Sequence, residues 1–185
     1  MTDKLYIVNA QAINDCMKAA SKEETRYYLG GVYIHDKDGQ RHYVGTDGRI
    51  MVHISEKLVG DEELKEGIIV KPCTKIKIGK RRDYADLAAT IQIVDKDTIL
   101  FKDNYQKIVC DIIDGTYPDY TRVVPEDNTP KLKEYTAFNA NYLKIVQGLT
   151  GKVEQPQGTD NASPAMWINE VGDLHYQIVL MPMRI

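Results

Sequence analysis

A chain of 185 residues holds one sizeable domain or two small ones, and its 43% hydrophobic and 28% charged residues are typical of a soluble globular protein. No apolar run approaches the roughly 18 residues of a membrane span, and Met1-Thr2-Asp3-Lys4 lacks the layout of a secretory signal. A net charge of −3 argues against a uniformly basic nucleic-acid binder but leaves room for a basic stripe.

Residues 4–8 read as a short strand, after which Asn9 caps a helix over Ala10 to about Ser21. Arg26 to Ile34 is rich in strand formers, and Asp36-Lys37-Asp38-Gly39 is a hairpin turn. Arg41 to Gly45 pairs back, Thr46-Asp47-Gly48 turns again, and Ile50 to Ile54 is another strand. After a charged loop the order starts over. Gly67 to Val70 is a strand, and Pro72 suits the first turn of a helix through a basic stretch. Ala88 to Val94, Thr98 to Phe101 and Gln106 to Ile113 are three more strands. Asp114 to Pro130, with three prolines, carries the strongest linker signal. Beyond it come a strand at Tyr135 to Phe138, a helix from Ala140 to Leu149 capped by Asn139 and stopped at Gly151, and a hairpin of Ala165 to Ile168 with Leu174 to Met181. The fold class is α+β: three repeated strand-helix-strands half-units with antiparallel sheets. The units span residues 4–58 and 67–124, then, past a linker at 125–132, a shortened copy over 133–185.

No catalytic arrangement stands out. His35, His42, His53 and His175 fall in or beside strands without metal spacing, and read as ordinary surface or half-buried histidines. Cys16, Cys73 and Cys110 are odd in number and widely spaced, which suits a reducing cytoplasm. The expectation is a protein that is not an enzyme and uses neither cofactor nor metal. A local reversal of charge is more informative. Lys71, Lys75, Lys77, Lys80, Arg81 and Arg82 lie in one stretch without an acidic residue. Lys18, Lys22, Lys144 and Lys152 fall in or next to the other two expected helices. If these faces line one surface, it suits sequence-independent contact with double-stranded DNA.

Four motifs in order resemble the bacterial DNA polymerase III β sliding clamp. They are Arg26-Tyr27-Tyr28-Leu29-Gly30-Gly31, Thr46-Asp47-Gly48-Arg49, Tyr117-Pro118-Asp119-Tyr120-Thr121-Arg122-Val123 and Met181-Pro182-Met183-Arg184-Ile185, with Phe138-Asn139 opening the last helix. Residues 1–124 resemble the clamp's middle domain, and 133–185 the second half of its last domain. The resemblance implies a DNA-clamp-like fold whose helices face a DNA-filled ring and whose sheets face outward. It also implies a hydrophobic groove that takes short apolar peptides of polymerases and clamp-loader-type proteins. The matching positions are Leu29, Thr46, Gly48, Met51, Pro118, Arg122 and Val123 on one side. Val179, Leu180, Met181, Pro182, Met183 and Arg184 complete it from the tail. Ile50 stands where the family usually has a pocket arginine.

Two functions follow from the resemblance. One is a processivity factor that self-assembles around DNA; four chains of three half-units would match the twelve of a family ring. The other is a clamp-like binding module without a ring, which captures clamp-binding peptides and competes with a host clamp. By pattern alone the tail is a buried closing strand, whereas the resemblance makes Pro182 to Ile185 the exposed lip of the groove.

Overall fold

The computed structural model describes residues 4–78, 87–126, 129–132 and 136–183. The expected first unit is present: β1 (Leu5–Asn9), α1 (Ala10–Cys16), then β2 (Val32–Lys37), β3 (Gln40–Thr46) and β4 (Ile50–Lys57). The second supplies β5 (Ile68–Pro72), β6 (Ala88–Ile93), β7 (Thr98–Lys102) and β8 (Lys107–Ile112). The third supplies α2 (Ala140–Thr150), β9 (Ala165–Val171) and β10 (Leu174–Leu180). The ten strands of the described residues join one antiparallel sheet in the order β1-β6-β7-β8-β5-β2-β3-β4-β10-β9. The first two units exchange their leading strands, β1 lying on β6 and β5 on β2.

Local chemistry explains most of these elements. The Asn9 side chain accepts from the Gln11 and Ala12 amides, and Asn139 does the same for Asn141. Gly151 closes α2 at φ +76°. Asp38 and Gly39, both at positive φ, make the two-residue turn between β2 and β3. The third unit supplies two of the ten named strands, β9 and β10. Apart from β10, β9 meets an isolated bridge from Met166 to Gln157, which is bridged in turn to Lys131, among the described residues.

Four expected elements differ. The first helix stops at Cys16 rather than near Ser21, because β3 meets it there: a Cβ on Gly45 would sit 2.0 Å from the Cys16 carbonyl oxygen. Glu24–Leu29 is a 3-10 turn rather than strand, held by Ser21 N–H to Leu29 O and Gly30 N–H to Tyr27 O, so tertiary contacts override strand propensity. Pro72 ends β5 instead of opening a helix, and 73–78 is irregular; the remainder of that expected helix lies largely outside the described residues. Residues 136–138 are not a strand. Phe138 instead stacks edge-on against Trp167, and Ala137 O accepts from Met183 N–H.

The pleat sorts side chains between two cores. On the helix side, Ile13, Cys16, Tyr43, Val52, Ile54, Tyr176 and Ile178 pack with Val146 and Leu149 of α2. On the outer side, Leu29, Val44, Met51, Ile69, Tyr117, Met166 and Val179 form a second cluster. Part of the proline-bearing segment 114–130 belongs to this outer layer. Tyr117 is buried with its hydroxyl donating to Val44 O at 3.2 Å, and Tyr120–Val123 is a 3-10 turn.

Candidate functional site

The site is built around the turn from Thr46 to Ile50. Thr46 Oγ1 donates to Ile50 O and accepts from Gly48 N–H, while Asp47 Oδ1 accepts from the Arg49 and Ile50 amides. Gly48, at φ +88°, supplies the left-handed conformation the turn needs. Three distant segments converge on it. Arg26 donates to Asp47 O at 3.1 Å, Tyr142 of α2 donates to Asp47 Oδ2 at 2.7 Å, and Met181 N–H donates to Arg49 O at 2.9 Å.

Strand β10 lies between β4 and β9, with Val179 opposite Met51 on one side and Met166 on the other. This places Leu29, Met51 and Val179 in one floor, each under 5% exposed. Tyr27, Val123, Met181 and Met183 are 40–58% exposed, Tyr27 two residues before Leu29 and Met181 two residues after Val179. Pro118 and Arg122 are also exposed, Arg122 next to Val123 in the chain. Asp119 fixes their turn: it accepts from Thr121 and Arg122, and the Thr121 hydroxyl above all holds its carboxyl below the usual range. Pro182 is half-buried.

Of the expected groove residues, Leu180 is elsewhere. It is fully buried in the helix-side core, because the pleat turns it away from Val179. Ile50 is turned the same way, so the residue at this position does not face the outer cluster. Arg184 lies outside the described residues. Val44, Ile69, Tyr117 and Met166 belong to the floor without having been expected; strand parity beside Met51 and Val179 was the available signal.

An aromatic column crosses the same outer face. Tyr117, Tyr33, His35 and His42 stack at successive centroid spacings of 4.9 Å, and His53 follows at 5.2 Å. Burial pushes His35 and His53 down to about 4, and lowers His42 as well.

The expected basic residues divide. Lys18 and Lys75 line one cavity of about 320 Å3 beside α1, with Lys18 also paired to the buried Asp15 at 2.6 Å. Lys22, Lys77 and Lys144 are exposed, and Lys152 pairs with Glu154. Lys71 departs from the expected surface: it follows the parity of Ile69, placing it on the outer face opposite the helices. Lys80, Arg81 and Arg82 lie outside the described residues. Among the described residues, no group of three or more His, Cys, Asp or Glu is arranged to hold a metal ion. Nor is any helix among them long and apolar enough to cross a membrane.

Repeated half-units on a continuous antiparallel sheet, helices on one face and an apolar cluster on the other, define the class: a DNA-clamp fold. Residues 7–119 match the family "DNA polymerase III beta subunit, central domain". The chain is 30% identical to the beta sliding clamp of Rickettsia bellii over 173 residues, covering 89% of this chain and 44% of that one. It is 32% identical to that of Caulobacter vibrioides over 132 residues, covering 69% and 34%. Among solved structures, the beta sliding clamp of C. crescentus superposes with a TM-score of 0.68 at 23% identity, covering 100% of this chain and 67% of that one. The clamp of Bartonella birtlesii bound to griselimycin gives 0.69 at 20%, covering 98% and 66%. The chain belongs to the DNA polymerase III beta sliding clamp family, and spans less than half the length of these two curated relatives.

Proposed function

We propose that this protein is a clamp-like replication processivity module that holds polymerase and clamp-loader-type proteins by short apolar peptides. The observation that carries this is the insertion of β10 between β4 and β9, which brings Met51 and Val179 into one buried cluster with Leu29, next along the chain to the exposed Tyr27 and Met181. An apolar floor with exposed apolar anchors and the Arg122 guanidinium at its rim suits a short peptide. Griselimycin, bound by the Bartonella clamp, is the natural probe. It should bind at one site, and removal of Met181 to Ile185 should abolish binding; normal binding by the truncated chain would reject the groove.

In this reading Lys18, Lys22, Lys75, Lys77 and Lys144, with Lys80, Arg81 and Arg82, meet double-stranded DNA without reading sequence. A homo-oligomeric ring, four chains in the simplest arithmetic, would be retained on circular DNA and released when the circle is cut. A monomer at micromolar concentration with and without DNA would reject the ring.

One observation favours the second reading, a clamp-like module without a ring that competes for clamp-binding peptides. Two backbone groups of the terminal strand β1 are already used within the chain: Ile7 O accepts from Arg41, and Asn9 N–H donates to the Tyr43 hydroxyl. Such capping opposes edge-to-edge pairing with another copy. Peptide binding without retention on circular DNA would select this reading.

A further inference from the structure

The aromatic column joins the two walls of the groove. Alongside it, the Tyr120 hydroxyl lies 2.9 Å from His35 Nε2, and the Tyr120 ring also tilts against His53 at 5.0 Å. Tyr120 begins the 3-10 turn that carries Arg122 and Val123. Across the sheet, His42 Nδ1 lies 3.0 Å from His53 Nε2, and His53 Nδ1 lies 2.8 Å from Gln177 Oε1. Gln177 is on β10, two residues before Val179. One run of contacts through β2, β3 and β4 therefore connects the 117–123 wall to the strand that leads into the tail.

The proton inventory of this run is tight. A carbonyl oxygen at His53 Nδ1 requires a proton on that nitrogen, so neutral His53 accepts at Nε2 from His42 Nδ1–H. Neutral His42 then has no second proton, although the Lys37 carbonyl oxygen waits 3.4 Å from its Nε2. An added proton thus has a place at His42 Nε2, but the charge it brings sits between two imidazoles stacked at 4.9 and 5.2 Å. The other charges around the column are few. Asp36, Lys37 and Asp38 act on His42 from β2 and its turn, and His175 acts on His53 from β10. Asp36 is already paired with Arg41 at 2.6 Å, and His175 with Glu170 at 2.5 Å. Asp119 acts on Tyr120 from its own turn.

We propose that Tyr120, His35, His42, His53 and Gln177 form a proton-sensitive latch that holds the two walls of the groove in their binding arrangement and releases the Tyr120–Val123 wall when the column becomes charged. The latch rests on the peptide-groove reading for its function, but not for its movement. Residues of the column are positioning residues: they set the wall and need not touch the peptide. A wall held in place binds more tightly because less ordering remains to be done on binding.

Two measurements test it on the full chain. Hydrogen exchange of residues 117–124, corrected for the intrinsic effect of pH, reads the wall directly. Protection should be present at pH 7.5 and lost as pH falls from 6.5 to 4.5 in the natural protein, and persist in His42→Gln. Griselimycin titration should show affinity at least tenfold weaker at pH 4.5 than at 7.5. The change should be under twofold in His42→Gln, while Tyr120→Phe should bind several-fold weaker at pH 7.5 with a flatter profile. Circular dichroism at each pH confirms the fold. Equal protection at both pH values in the folded protein overturns the latch, whatever binds. Absence of griselimycin binding at pH 7.5 with the expected exchange pattern instead removes the groove reading and leaves the moving wall.

Discussion

Tyr142 donates a hydrogen bond of 2.7 Å to Asp47 Oδ2, across 95 residues of sequence. The bond ties α2 of the third unit to the turn of the first, and so fixes one corner of the proposed groove to the helix layer. Because the acceptor is a partly buried carboxylate, its removal in Tyr142→Phe should cost about 1 kcal/mol. A thermal melt should show a midpoint lower by roughly 2–4 °C, with griselimycin affinity reduced a few-fold. An unchanged melt would mean that solvent replaces the hydroxyl.

Gly45 is set by the close approach of α1 to β3. A methyl group there would sit 2.0 Å from the Cys16 carbonyl oxygen, and 2.7 Å from its carbon, both backbone atoms that cannot rotate away. Gly45→Ala should destabilise the protein by about 3 kcal/mol through forced backbone displacement. Urea unfolding would show it as a lower midpoint at similar slope.

Acid should weaken the fold through the same histidines that form the column. His53 is 8% exposed and its folded value is pushed from 6.5 down to about 4, first by burial. A depressed folded value means that the unfolded chain binds the proton more readily between those limits. Stability is therefore full above pH 6.5 and declines as pH falls toward 4, by about 3 kcal/mol for His53 at most. His35 acts in the same direction over the same window. Urea unfolding at a series of pH values should show this decline, and it should be smaller in His53→Gln.

The DNA-facing proposal makes a side-specific prediction. Lys18, Lys75 and Lys144 belong to the proposed helix-side surface, whereas Lys71 follows the outer parity. Replacing each of the first three by glutamate should weaken binding to duplex DNA and reduce the salt slope by about 0.9 for every phosphate that is no longer neutralised. Lys71→Glu should leave both nearly unchanged. Anisotropy of labelled duplex at several salt concentrations separates the two sets.

Local signals in the sequence carried the repeated units and the caps. Asn9, Asn139, Gly151 and the Asp38-Gly39 turn act over a few residues and are readable without knowing the fold. The proposed groove rests in the sequence only on motifs in family order, and such motifs do not distinguish one neighbour from the next. Val179 and Leu180 are adjacent in sequence, yet the pleat sends one to the outer cluster and the other to the helix-side core. The same alternation separates Met51 from Ile50 and moves Lys71 off the expected basic face. The histidine column was hidden for a different reason. His35, His42 and His53 lie on three strands, and only the sheet register brings them together. The buried stop at Gly45 likewise depends on the meeting of α1 with β3, which no short-range pattern encodes.

The groove stands or falls with the tail. Leu180 ends β10 in the core, and the chain then leaves the sheet, with Met181 held by Arg49 O and Met183 by Ala137 O. A calorimetric titration of griselimycin onto the full chain and onto a chain ending at Leu180 tests it most directly. Saturable one-site binding is expected for the full chain and none for the shortened one, with both giving cooperative thermal unfolding. Equal binding by the two folded chains would contradict the groove.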